Sequence, residues 1–128
     1  MALTLAVGES KTFEIQAAER WNHTLLEIEA GEIYQITSSG TWTDWETVSD
    51  ADGYDDPFLD VFSNLKRNTD AKWFELVGAI DTVSQYVIGS NQNITFNESG
   101  NLSLFANDAE GFYGNNTGSI STTITRIE

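Results

Sequence analysis

"GNLSLFANDAEGFYGNNTGSISTTITRIE", residues 100–128, contains two alternating runs separated by one polar loop. In the first run one face carries Leu102, Leu104 and Ala106. In the second run one face carries Ile120, Thr122 and Ile124. A period of two is the pattern of a β-strand, since successive side chains point to opposite faces of a sheet. The stretch therefore predicts two strands joined by a loop at 107–118.

The same alternation recurs along most of the chain. Phe13 and Ile15 alternate with polar neighbours, and in "GEIYQITSSG" one face carries Tyr34, Ile36 and Ser38. Runs rich in Thr, Ile, Val and aromatic residues are separated by Gly, Asn and Ser, at a spacing that suits roughly eight to ten short strands. These patterns predict an all-β fold: a single antiparallel β-sandwich domain of jelly-roll type over residues 1–128.

One segment does not follow the pattern. The stretch "TDWETVSDADGYDDPFLDVFSNLKRNTD", residues 43–70, holds the only proline and is predicted to be a long irregular loop. Long loops in compact domains usually carry function or are disordered. Its acidic part, from Asp50 to Asp60, lacks the ligand spacing of an EF-hand, so we do not predict a second calcium ion there.

The charge balance excludes several classes of partner. The chain has 20 acidic and 6 basic residues, a net charge of −14. Because phosphate contacts need clustered Lys and Arg, we expect no nucleic-acid partner and no anionic membrane. No apolar run approaches the ~20 residues that insertion into a membrane requires. The start, "MALTLAVGESKTFEIQ", lacks the basic region and apolar core of a signal peptide, so the compartment stays open.

The loop "NDAEGFYGNNTG", residues 107–118, is rich in oxygen-bearing side chains and in glycine. Calcium takes six to eight oxygens from carboxylates, amide carbonyls, main-chain carbonyls and water. Asp108 follows one predicted strand, and Asn115 and Asn116 precede the next, so the ends of the loop approach one another. A main-chain oxygen near Phe112 could join them. Taken alone, the pattern fits a calcium site and an ordinary Asn/Gly-rich turn equally well.

The stretch "FANDAEGFYGNNTGSISTTI" resembles the end of the PA-I galactophilic lectin family. Three upstream stretches resemble further family segments in the same order: "ERWNHTLLEIEAGE", "GEIYQITSSGTWTDW" and "ELVGAI". The resemblance covers residues 17–127 and is most specific in the terminal loop. It implies a small jelly-roll β-sandwich of the galactose-binding-domain-like type, which holds one calcium ion and binds sugar through that ion.

The resemblance also implies a ligand set. Its members are the carboxylate of Asp108, the side-chain amides of Asn115 and Asn116, and the main-chain carbonyls of Phe112 and Trp45. Counting from Gly40 would put the last carbonyl at Asp44 instead. We favour Trp45 because the family has an aromatic residue at that position.

The sugar-selecting part departs from the family pattern. Galactose binders of the family use a His before a Pro and a Gln three residues after that His. Here Asp56 precedes Pro57, and Leu59 stands at the later position. Sugar contacts are expected from Asp108, Asn115, Asp56 and Tyr54, with a galactose-type sugar as the first expectation and its preference open.

The leading hypothesis is therefore a calcium-dependent lectin or carbohydrate-binding module that acts on galactosides or related extracellular glycans. Because the binding of single sugars would be weak, a homo-oligomer would add avidity. The alternative is a structural or assembly domain that calcium stabilises without sugar binding. A glycosidase ranks lower, and we expect no enzyme activity. His23 is the only histidine, no cysteine is present, and no carboxylate pair stands out.

Overall fold

The computed structural model describes residues 3–128, with every side chain in that range except that of Asp60. The first two residues of the predicted domain and the last side chain of the acidic segment therefore lie outside the described part. Strands dominate the rest, in the order β1 (Ser10–Gln16), β2 (Asn22–Ile28), β3 (Ile33–Ser39), β4 (Trp42–Asp44), β5 (Thr47–Ser49), β6 (Asp52–Tyr54), β7 (Trp73–Ile80), β8 (Ser84–Val87), β9 (Asn91–Thr95), β10 (Gly100–Ala106) and β11 (Asn116–Arg126). Two 3-10 helices cover Asp60–Leu65 and Tyr113–Asn115.

The strands form two antiparallel sheets that pack as a sandwich, which confirms the predicted fold class. One sheet has the order β5-β4-β11-β3-β9, with β1 also paired to β11. The other has the order β2-β10-β7-β6, with β8 also paired to β7. None of the helices within residues 3–128 is long and apolar enough to cross a membrane.

The core lies between the inner faces of the two sheets. Trp42 and Phe74 are both fully buried there and meet edge to face, with ring centroids 5.7 Å apart. A smaller cluster, which includes Phe105 and Val77, covers the outer face of the second sheet and packs against Trp21. Strand β10 is therefore buried on both faces, and the loop that follows it starts from a fixed point.

Strand β11 organises the first sheet. It pairs with β4 near Asn116 and with β3 towards Arg126. Because a strand rises about 3.3 Å per residue, these two residues lie at opposite ends of the sandwich. The loop between β10 and β11 and the turn after β4 meet at the Asn116 end.

The segment at 43–70 is more ordered than the alternation predicted. It contributes to β4, contains β5 and β6, and includes the 3-10 helix at Asp60–Leu65. β5 forms a hairpin with β4, and β6 pairs with the start of β7. Strands of three residues are too short to show a period of two, so the predicted eight to ten strands become eleven within residues 3–128.

Candidate functional site

A buried amide anchors the loop where it leaves β10. Asn107 is fully buried, and its Oδ1 accepts a hydrogen bond of 2.9 Å from the main-chain N–H of Asn68. Its Nδ2 donates to the carbonyls of Asn68, Ala71 and Lys72. These bonds tie the loop at 68–72 beneath the first residue of the site loop and fix the start of the next residue, Asp108.

Asp108 is a buried carboxylate, only 4% exposed. Its Oδ1 accepts a bond of 2.8 Å from the N–H of Ala109, and its Oδ2 accepts one of 3.1 Å from Nδ2 of Asn116. The pKa of Asp108 is raised to about 6, chiefly by burial and also by the charge of Asp44, although both hydrogen bonds lower it. Within residues 3–128, Asp108 forms no salt bridge with a basic side chain.

Asn116 lies beside Asp108 and is 3% exposed. Besides the bond to Asp108, its Nδ2 donates to the carbonyl of Ala17 at 3.1 Å. Its Oδ1 is buried and finds no hydrogen-bond donor among the described residues. Buried polar atoms are almost always satisfied, so we expect a water molecule or a cation from solution to bind this carbonyl oxygen beside the buried carboxylate. Both groups are of the hard-oxygen type that calcium prefers.

The pairing of β4 with β11 places Asp44 directly opposite Asn116. Tyr54 donates a hydrogen bond of 2.6 Å from its hydroxyl to Oδ2 of Asp44. Burial is the main cause that raises the pKa of Tyr54, followed by that bond and by the charges of Asp44, Asp108 and Asp56. These three carboxylates therefore lie around the hydroxyl of Tyr54. Sequence reasoning considered Asp44 only for its main-chain carbonyl and missed its side chain.

The remaining predicted metal ligands lie around the same loop. The N–H of Trp45 donates to the carbonyl of Asn115 at 3.1 Å, so the turn after β4 is held against the loop. Trp45 has a left-handed backbone, with a φ of 55°, and its side chain is 71% exposed. Asn115 is exposed as well, and Phe112 begins the 3-10 helix at Tyr113–Asn115 as its exposed N-cap.

Asp56 lies at the edge of the group of carboxylates around Tyr54. Its Oδ1 accepts a bond of 2.9 Å from the N–H of Phe58, so the carboxylate closes a local turn around Pro57. Asp56 is half-buried, and Phe58 is 84% exposed. The charge of Asp56 contributes to the raised pKa of Tyr54, and the exposed ring of Phe58 follows Asp56 by two residues. The role of Asp56 as a sugar contact stays a prediction.

The candidate donors include more amide and main-chain carbonyl oxygens than carboxylates. No group of three or more Asp, Glu, His or Cys side chains that could hold a metal occurs in the described residues. The residues at the site offer two neighbouring carboxylates, Asp44 and Asp108, and the unsatisfied oxygen of Asn116. His23 is elsewhere, on β2, where its Nδ1 lies 2.7 Å from Oγ of Ser103.

Comparison with known proteins finds the same β-sandwich fold in a solved lectin domain. No family model matches the chain, and no curated protein matches it. Among solved structures, the chain is similar to the N-terminal domain of EclA, described as a PllA-like lectin, with a TM-score of 0.70 and 18% identity. The match covers 90% of this chain and 94% of that one. A match at this identity shows a shared fold.

Proposed function

We propose that the protein is a calcium-dependent carbohydrate-binding module. One observation carries the proposal: the carbonyl oxygen of Asn116 is buried and unsatisfied beside the buried carboxylate of Asp108, which has no salt-bridge partner in the described residues. A cation supplied from solution would satisfy both groups. The lectin-like fold supports a carbohydrate as the second ligand.

The residues present fit calcium. Asp108 and Asn116 would hold it, with Asn115, the side chain of Asp44, and the main-chain carbonyls of Phe112 and Trp45 as further donors. When bound, calcium supplies coordination positions that sugar hydroxyls can occupy in place of water. These six donors leave two positions in a shell of eight oxygens, which vicinal hydroxyls would occupy.

The chain's own residues would orient the sugar. Tyr54 and Asp56 offer a hydroxyl and a carboxylate beside the site, and the exposed rings of Trp45 and Phe58 offer faces for sugar C–H groups. A galactose-type sugar remains the first candidate. Because Asp56 and Leu59 replace the His and Gln of the galactose binders, binding of one sugar should be weak, with a dissociation constant near millimolar, or about −4 kcal/mol.

Isothermal titration of galactose, N-acetylgalactosamine, glucose and mannose, each with calcium and with chelator, tests the proposal. We expect heat from a galactose-type sugar that disappears in chelator. Binding that persists in chelator would contradict calcium dependence. If the protein binds calcium but none of the sugars, the carbohydrate part of the proposal fails.

A second candidate function is a calcium-stabilised assembly domain. The pairing of Asp44 with Asn116 and the bond from Trp45 to Asn115 favour it, because they already join the two segments that calcium would clamp. In that case calcium would raise the melting temperature and no sugar would add to the shift. Sedimentation with calcium and with chelator would then show whether the clamp promotes association of copies, which would also provide avidity for a lectin.

A further inference from the structure

Arg67 is a buried cation behind the site loop. Its side chain is only 3% exposed, and its guanidinium stacks among aromatic rings. The guanidinium carbon lies 3.6 Å from the ring centroid of Phe105, 4.4 Å from that of Trp21 and 5.4 Å from that of Tyr113. Arg and Lys are almost never fully buried unless they are paired, so this position requires an explanation.

The hydrogen bonds of Arg67 reach the loop from its inner side. Its main-chain N–H donates to the carbonyl of Asp108 at 3.0 Å, and its Nη1 donates to the hydroxyl of Tyr113 at 2.8 Å. That hydroxyl in turn donates to the carbonyl of Ala106 at 2.5 Å. The main chain of Arg67 therefore holds the first part of the loop, at Asp108, and its side chain holds the last part, at Tyr113.

The side chain of Arg67 makes two further contacts with the segments around the loop. Nη1 also donates to the carbonyl of Arg20 at 2.6 Å, and Nε lies 3.4 Å from Oε1 of Glu110 in the middle of the loop. Glu110 is shared with the side chain of Arg20, at 2.7 Å, but Arg20 is 57% exposed. One arginine is thus buried under the loop and the other lies at its surface, although both contact the same carboxylate.

The shape of the guanidinium suits this role. It is planar, so it can stack on rings and donate in several fixed directions at once, which the single ammonium of Lys cannot do. The Arg67 side chain forms no hydrogen bond or salt bridge with the carboxylate of Asp108, and therefore leaves the oxygens of that carboxylate available to a cation.

We propose that Arg67 is a positioning residue for the calcium site, which holds the loop at 107–115 in its binding geometry before the metal arrives. This inference depends on the proposed calcium function. Residues that orient metal ligands usually contribute 10–100-fold to metal affinity, and we expect a loss of about that size when Arg67 is replaced.

The test compares four variants with the unmutated protein by isothermal titration of calcium. Arg67→Met should lose about 10–100-fold in affinity, and Arg67→Lys should be intermediate, since it restores the charge without the planar fork. Arg20→Gln is the matched control, because it removes the exposed partner of Glu110, and its calcium affinity should stay unchanged. Val77→Ala, which loosens the same apolar cluster, should lower the melting temperature without lowering the affinity.

Amide hydrogen exchange in chelator gives a readout that does not need the metal. The N–H of Ala109, bonded to Oδ1 of Asp108, should exchange faster in Arg67→Met and at the normal rate in Arg20→Gln. If Arg67→Met does not fold, Tyr113→Phe removes the hydroxyl between Arg67 and Ala106 and should weaken calcium binding several-fold.

The outcomes are distinguishable. Equal calcium affinity in the unmutated protein and in folded Arg67→Met, or in Tyr113→Phe where that variant replaces it, overturns the positioning role and leaves the calcium site intact. If Val77→Ala loses as much calcium affinity as Arg67→Met, Arg67 contributes only to general stability, and the positioning role is also overturned. Absence of calcium binding by the unmutated protein overturns the proposed function and this inference together.

Discussion

The two ends of β11 carry similar groups in different electrostatic settings. At the Arg126 end, the hydroxyl of Tyr34 donates to Oε1 of Glu32 at 2.9 Å. At the Asn116 end, the hydroxyl of Tyr54 donates to Oδ2 of Asp44 at 2.6 Å. Each end thus joins a tyrosine to a carboxylate, and at each end burial is the main cause that raises the tyrosine's pKa.

The difference is the counter-charge. Nη2 of Arg126 lies 3.0 Å from Oε2 of Glu32, so that end contains its own cation. At the Asn116 end, neither Asp44 nor Asp108 forms a salt bridge within residues 3–128. A buried charge without a partner is costly. The end whose buried carboxylates have no salt-bridge partner is therefore the end where a cation from solution has the most to stabilise.

Replacement of Asp108 should have the largest effect on calcium binding. Asp108→Asn removes the central carboxylate, so we expect calcium binding to become undetectable by isothermal titration. Asn has nearly the shape of Asp and keeps an acceptor for the N–H of Ala109. The variant should therefore fold, as circular dichroism can check. Calcium binding that survives in Asp108→Asn would place the metal elsewhere.

The stability of the metal-free protein should depend on pH through Asp108. Its pKa is raised from 3.8 to about 6, so folding favours the protonated form. The stability it contributes is complete below pH 3.8 and is lost as pH rises through 6. At 1.36 kcal/mol per unit, the loss approaches about 3 kcal/mol. Urea unfolding in chelator should show this decrease in the unmutated protein, and Asp108→Asn should not show it.

Calcium should compensate for that loss at neutral pH. A ligand that binds only the folded state adds about 2.7 kcal/mol at 100 times its dissociation constant. Thermal melts with millimolar calcium and with chelator should therefore differ by several degrees. Magnesium, which demands a tighter octahedral shell, serves as the control and should shift the melt less. Identical melts with calcium and chelator would argue against a metal site.

At the opposite end, removal of a carboxylate should destabilise the protein, because that carboxylate is paired with a cation. Glu32→Gln leaves Arg126 without its charged partner, and we expect a loss of about 1–2 kcal/mol in the free energy of unfolding at neutral pH. Calcium affinity should stay the same, since β11 separates the two ends. A variant more stable than the unmutated protein would show that the internal ion pair does not distinguish the ends.

The smallest effect on the metal is expected at Asp56. Its carboxylate accepts from the N–H of Phe58 and lies at the edge of the site. Asp56→Ala should leave calcium affinity unchanged by isothermal titration and alter only the binding of sugar. If Asp56→Ala lost calcium while Asp108→Ala retained it, the acidic loop would be the metal site, and the contrast between the ends would need a different explanation.

Much of the fold follows from local pattern. The alternation around Leu104 and Ile124 is enough to predict β10 and β11, because a period of two reflects only the geometry of a strand. The loop between them, with Asp108 and Asn116, was also identified from the sequence as the candidate metal site. The β-sandwich fold agrees with the fold that the resemblance of the same residues implied.

Tertiary structure alone decided which distant groups meet. The carboxylate of Asp44 faces Asn116 because β4 and β11 pair in one register, and a shift by one residue would turn it to the other face of the sheet. Arg67 is buried only because Trp21, Phe105 and Tyr113 converge on it from separate segments. A sequence pattern records neighbours along the chain, whereas burial and the lack of a counter-charge depend on contacts across it.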